Sequence, residues 1–123
     1  MTHRPTRVHA AGPAYAAVLA AIHAAAFPDE PWGAGAFQVQ LEMHGVIGLL
    51  DERGGLLMMR VTLDEAEILT IGVLPSLRRR GIARSLLWAA IAKAHGLGAR
   101  SMFLEVETSN QAARSLYAKA GFA

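Results

Sequence analysis

Val73-Leu74-Pro75-Ser76-Leu77-Arg78-Arg79-Arg80-Gly81-Ile82-Ala83-Arg84 is the stretch on which the fold turns. Pro75 stops an apolar strand and a helix opens just beyond, so the segment is a strand-to-helix connection. A helix N-terminus has unpaired N–H groups and a partial positive charge, which together suit a diphosphate. Gly81 and Ala83 leave room for phosphate oxygens near the backbone, and Arg78, Arg79, Arg80 and Arg84 add charge around them. A solvated basic helix start would explain the arginines, but not the small residues following an apolar strand. No Gly-Lys-Ser/Thr follows, so this is not a Walker loop, and the triple-glycine spacing of a dinucleotide fingerprint is missing.

Upstream of this segment, the sequence predicts an antiparallel meander. Val46 to Leu50 read as a strand, and Asp51-Glu52-Arg53-Gly54-Gly55 is a turn with the glycines a hairpin favours. Leu56 to Thr62 return as the next strand, Asp64 and Glu65 mark a turn, and Glu67 to Val73 follow as a third strand. Before them, residues 4–9 suggest a short strand, and Pro13 opens a helix to about Ala26 with Tyr15, Val18, Leu19 and Ile22 on its apolar face. Ala34 to His44 read as a second helix with Phe37 and Leu41 inward. Downstream, Arg80 to His95 form a helix with Ile82, Leu86, Ala90 and Ala94 on one face, closed by Gly96 and Gly98. Ser101 to Glu107 read as a strand, and Asn110 caps a last helix ending at Gly121. The expected fold class is α/β, with a mixed, mostly antiparallel sheet flanked by helices.

The 123 residues are expected to form a single domain, 1–123, with 53% hydrophobic and 18% charged residues supporting a packed core. With no cysteine in the chain, disulfides, thiolate metal sites and an acyl-cysteine intermediate are excluded. A net charge of +2 does not call for a nucleic-acid surface, whereas four of the twelve Lys and Arg residues fall between positions 78 and 84, which favours a local polyanion site. No apolar run is long enough to span a bilayer. Arg4 and Arg7 ahead of an Ala-rich run imitate a signal peptide, but Gly12-Pro13 breaks the run and His9 and His23 lie inside it, so a cytoplasmic protein is expected. The five histidines form no ligand-spaced pair, so no metal site is expected, and most are read as surface or helix-end residues.

Arg78-x-x-Gly81-x-Ala83 resembles the acetyl-CoA signature of the GNAT N-acetyltransferases. Leu104-Glu105-Val106-Glu107-Thr108-Ser109-Asn110 and Leu116-Tyr117-Ala118-Lys119-Ala120-Gly121-Phe122 narrow the likeness. They are similar to the bacterial enzymes that acetylate the N-terminal amine of a small-subunit ribosomal protein. Pro31-Trp32 and Phe37 resemble that family's substrate-side loop more weakly. The likeness spans residues 27–122 and is sharp over 67–122. It implies a GNAT fold with acetyl-CoA as cosubstrate and no metal. The backbone of Ile71, Gly72 and Val73 would hold the acetyl-pantetheine arm. The segment Arg78, Arg79, Arg80, Gly81, Ile82, Ala83 and Arg84 would wrap the diphosphate, and Asn110 would contact the cofactor. Independently, Gly72 inside an apolar strand suggests a bulge, a close backbone approach or a plain packing glycine.

Acetyl transfer needs a neutral amine and a proton for the departing thiolate. A protein α-amine with a pKa near 8 is about one-tenth neutral at pH 7, so a modest base suffices. Glu105 is the candidate base, with Glu107 as competitor. Alternation puts Phe103, Glu105 and Glu107 on one strand face and Met102, Leu104 and Val106 on the other. On alternation alone, Glu105 reads rather as an ordinary solvent-facing strand carboxylate, and it is the resemblance that favours the catalytic role. Tyr117 is the candidate acid, since a phenol stays protonated at pH 7; its alternative is a packing tyrosine. Asn110 also reads as a simple helix cap. The family continues beyond Gly121-Phe122 through a final strand pair, so a C-terminally short GNAT domain is expected, with monomer and dimer both open. The acceptor would be a protein N-terminus, or else a small amine or a lysine; a non-catalytic CoA-binding form is a further alternative.

Overall fold

The computed structural model describes residues 7–104. Five strands form one sheet in the order β1-β2-β3-β4-β5: β1 Val8–Ala10, β2 Val46–Asp51, β3 Gly55–Thr62, β4 Glu65–Val73 and β5 Ser101–Leu104. The first four pair antiparallel and β5 joins β4 in parallel, so the sheet is mixed and mostly antiparallel as expected. Helix α3 (Ile82–Gly96) makes the β4-to-β5 crossover and packs on one face. Helices α1 (Ala16–Ala26) and α2 (Ala34–Leu41) pack on the other.

The run Leu56-Leu57-Met58-Met59 is fully buried because helices lie on both sides of its strand. Leu57 and Met59 face α3, whereas Leu56 and Met58 face α1 and α2. The α3 stripe is as its spacing predicts: Ile82, Leu86, Ala90 and Ala94 are all buried. Leu86 and Leu87, both fully buried, contribute about 1.5–3 kcal/mol each. The helix closes in a Schellman motif. Gly98 N–H donates to His95 O, Ala99 N–H donates to Ala94 O, and Gly98 takes a left-handed φ of +97°.

The stripe of α1 differs from its expected position. Pro13–Tyr15 form a 3-10 turn, so the α-helix starts at Ala16 and its buried residues are Ala16, Leu19, Ile22 and His23. Tyr15 and Val18 are turned outward, at 39% and 46% exposure. An alanine-rich helix has little apolar contrast around its circumference, so a small offset in phase moves the face.

Two connections fix the ends of β4. At one end Leu63 and Asp64 turn the β3–β4 hairpin, Leu63 at φ +56° and 89% exposed. The Asp64 carbonyl accepts from the N–H groups of Arg100 and Ser101 at 2.6 and 3.3 Å, so the hairpin tip meets the start of β5. The second connection, at the other end, is the arginine loop.

Candidate active site

Leu74 leaves β4 into a 3-10 turn, Pro75–Leu77, and α3 begins after Gly81. Gly81 has φ +80° and Arg79 has φ +67°, so two residues in three are left-handed. A Cβ at position 81 would meet no atom of the described residues within 4 Å, so the glycine is demanded by its dihedral rather than by crowding from them. At Arg79 the same conformation costs about 1–2 kcal/mol. Among the described residues no side chain caps the helix, and no acidic residue lies in its first turn. Its first helical bond is from Ser85 N–H to Gly81 O, at 3.0 Å, which leaves the amides of Ile82, Ala83 and Arg84 ahead of the ladder. Arg79, Arg80 and Arg84 are exposed and make no ion pair among the described residues. Three cations thus crowd the positive end of a helix dipole, an arrangement that an anion would relieve.

Arg78 is placed differently from its three neighbours. Its Nε donates to Val73 O at 3.4 Å and its Nη2 to Ala26 O at 3.3 Å, strapping the end of α1 to the end of β4. Ile71, Gly72 and Val73 are the last residues of β4, opposite Leu57, Leu56 and Gly55. Of the three readings for Gly72, the packing glycine is the one seen: a Cβ there would lie 3.0 Å from Phe27 Cε2 and 3.1 Å from Ala26 Cβ, both side-chain atoms. The register slips instead between Met58↔Thr70 and Met59↔Ile68, which makes Leu69 the extra residue of a bulge.

Phe27 belongs to an aromatic cluster over this end of β4. His23 stacks on Trp32 at 5.0 Å and contacts Phe27 at 4.7 Å and Phe37 at 5.6 Å. Its Nδ1 accepts from the Trp32 backbone N–H at 3.0 Å, so the proton of the neutral ring sits on Nε2. Burial lowers the His23 pKa from its ordinary value. The expectation of surface histidines therefore fails at His23, which is 2% exposed; a histidine beside Leu19 and Ile22 on the inward phase of α1 was the available signal. Phe37 is wholly buried and belongs to the core, while Trp32 is half-buried and anchors its loop.

On β5, Met102 and Leu104 pack toward α3 and Phe103 is 53% exposed, so the strand alternates as read. Glu105, Glu107, Asn110 and Tyr117 lie outside the described residues. A depression of about 300 Å³ lined by Arg60, Thr62, Glu65, Ala66, Glu67 and Phe103 sits at the far end of β4 from the arginine loop. Arg60 Nη2 donates to Glu67 Oε1 across it at 2.7 Å. Among the described residues no helix is long and apolar enough to cross a membrane.

The family model for the GNAT acetyltransferases matches residues 16–122, and the chain belongs to that family. The bS18-alanine N-acetyltransferase of Salmonella typhimurium is 39% identical over 72 residues, which are 58% of this chain and 49% of that relative. The chain thus spans about half the length of that relative. An N-alpha-acetyltransferase RimI from Mycobacterium tuberculosis is 35% identical over 102 residues, 76% of this chain and 63% of that one. Among solved structures, the ribosomal-protein-S18-alanine N-acetyltransferase of Escherichia coli superposes with a TM-score of 0.82 at 26% identity, covering 93% of this chain and 75% of that one. An aminoglycoside acetyltransferase from a soil metagenome superposes at 0.76 with 30% identity, covering 93% and 89%.

Proposed function

We propose that the chain binds acetyl-CoA with its diphosphate at the N-terminus of α3 and passes the acetyl group to the N-terminal α-amine of a protein of the ribosomal type. One observation carries the donor half of this reading. An uncapped helix end with free amides is surrounded by Arg79, Arg80 and Arg84, and no carboxylate answers them among the described residues. The likeness to the bS18-alanine acetyltransferases supports the acceptor half.

Bound there, acetyl-CoA supplies an acyl thioester. Residues 71–73 hold its pantetheine arm by their backbone. The acceptor nitrogen attacks the carbonyl carbon, forming the C–N bond as the C–S bond breaks. Glu105 takes the amine proton and Tyr117 returns one to the thiolate. Asn110 contacts the cofactor. Direct transfer in a ternary complex is the route for a chain without cysteine.

The likeness to the metagenomic aminoglycoside enzyme favours a second reading with the same donor site and an aminoglycoside amine as acceptor. Mass spectrometry of acetyl-CoA incubated with lysine-blocked peptides and with aminoglycosides separates the two. Acetyl on the free peptide N-terminus is the expected result. Acetyl on the aminoglycoside alone replaces the acceptor, and CoA-dependent thermal stabilisation with no product on any amine leaves a binding domain. Glu105→Gln and Tyr117→Phe are each expected to lower turnover about 100-fold with CoA binding retained. Full rates in both would remove them from the chemistry.

A further inference from the structure

Beneath the arginine loop lies a feature that neither the motif nor the transfer chemistry requires. Asp51, at the end of β2, is a fully buried acid. It accepts from Arg53 three times: from the backbone N–H at 2.9 Å and Nε at 3.0 Å on Oδ1, and from Nη2 at 2.7 Å on Oδ2. Nη2 of Arg53 also reaches Ser85 Oγ at 3.4 Å, and Ser85 Oγ donates to Gly81 O at 3.0 Å. The chain of contacts therefore runs from the β2–β3 turn to the carbonyl of the residue that opens α3.

The same turn grips the start of the loop. Leu74 N–H donates to Gly54 O at 2.9 Å. Gly54 has φ +132°, and a Cβ there would lie 2.6 Å from Leu74 Cδ1 and 3.1 Å from Leu77 Cδ1. At Gly55 a Cβ would fall 2.6 Å from Ile82 Cγ2. One short turn thus touches the loop where it leaves β4 and where it enters the helix. The loop's own backbone bonds, Leu77 N–H to Leu74 O and Arg78 N–H to Pro75 O, all lie before Arg79.

We propose that Arg53 is a positioning residue for the donor site: clamped by Asp51, it fixes the Gly81 carbonyl through Ser85 and so sets the amides that receive the diphosphate. A hairpin turn alone is satisfied by an exposed Asp accepting one backbone N–H. Burying that carboxylate is costly unless it is fully paired, and the guanidinium fork supplies the pairing while leaving a donor directed at α3. The Asp51 charge also offsets Arg53, so the brace adds a rigid link without another bare cation at the helix end.

This inference rests on the diphosphate reading of the loop, so the test compares ligands with and without that group. CoA and pantetheine are titrated into the wild-type chain, Arg53→Gln, Arg53→Lys and Ser85→Ala. Ser85→Ala removes only the linking hydroxyl from a helix, so it keeps the test independent of folding. The expected CoA affinity falls about tenfold in Arg53→Gln and about threefold in Ser85→Ala, with partial recovery in Arg53→Lys and pantetheine affinity constant. Unchanged CoA affinity in Arg53→Gln and Ser85→Ala overturns the brace and spares the diphosphate reading. Equal weakening of both ligands makes the contact merely structural, which also overturns it. A wild-type chain that binds CoA no better than pantetheine overturns the loop reading, and the brace falls with it.

Discussion

The two supports at the C-terminal end of β4 use opposite chemistry. On the α3 side, the arginine loop is held by a buried carboxylate, a guanidinium fork and a hydroxyl. On the α1 side, the Trp32 loop is held by stacked rings and one neutral imidazole. A highly charged loop is fixed by directional bonds that no apolar contact could replace. A loop over an apolar strand end is fixed by area, with a single hydrogen bond giving it direction. The two supports should therefore fail under different stresses.

The largest expected effect is on the aromatic side. Phe37 is completely buried against His23 and Trp32, and Phe37→Ala should cost about 3–5 kcal/mol in denaturant unfolding. A loss under 1 kcal/mol would show that the cluster is not packed as described. Next comes Arg53→Ala, which strands a buried carboxylate. A broken buried pair costs about 3–5 kcal/mol, but the Arg53 side chain is 30% exposed and solvent screens part of that, so about 2–3 kcal/mol is expected. An unchanged denaturation midpoint would break the contrast between the two sides.

Acid should separate the supports. His23 is held below its ordinary pKa by burial, so the unfolded chain protonates first. Its contribution is intact above about pH 6.5 and is lost as pH falls below that, when Nδ1 can no longer accept from Trp32 N–H. Burial pushes the Asp51 carboxyl up, but hydrogen bonds from Arg53 and the charges of Arg53 and Arg7 outweigh it and leave the pKa lowered. That support is intact above about pH 4 and is lost only below. In a Trp88→Phe background, Trp32 emission should shift to the red as pH is lowered from about 6.5 toward about 4 and its ring is wetted, while CoA still binds at pH 5. Emission that stays flat over the range would sink the assignment to His23. The smallest effect is at the other end of β4. Leu63→Gly should raise stability by about 0.5 kcal/mol, because relief of a left-handed leucine slightly exceeds the added chain entropy. Calorimetry showing a lower Tm would place a packing role on this exposed side chain.

Much of the architecture was legible because periodicity and punctuation agreed. Ile82, Leu86, Ala90 and Ala94 announced their helix face, and Gly54-Gly55 announced the hairpin. The arginine loop was legible as a motif, but not the strap that Arg78 makes to Val73 O and Ala26 O, since three consecutive arginines look alike until the backbone assigns each a direction. His23 was missed although Leu19 and Ile22 pointed to its phase, because the surrounding alanines give that phase little contrast. Asp51 and Arg53 read as turn residues because their partner, Ser85, is 32 positions from Arg53. The extra residue at Leu69 had no local signature, as one apolar residue in a run of them marks no bulge.

The Asp64 carbonyl, which meets the amides of Arg100 and Ser101, has a consequence for assembly. β4 and β5 are parallel and come together only after the whole of α3 has crossed over. A slip of one position would carry Met102 and Leu104 into water and drive Phe103 against α3. A single oxygen at a hairpin tip thus acts as the doorstop against which the returning chain comes to rest in step.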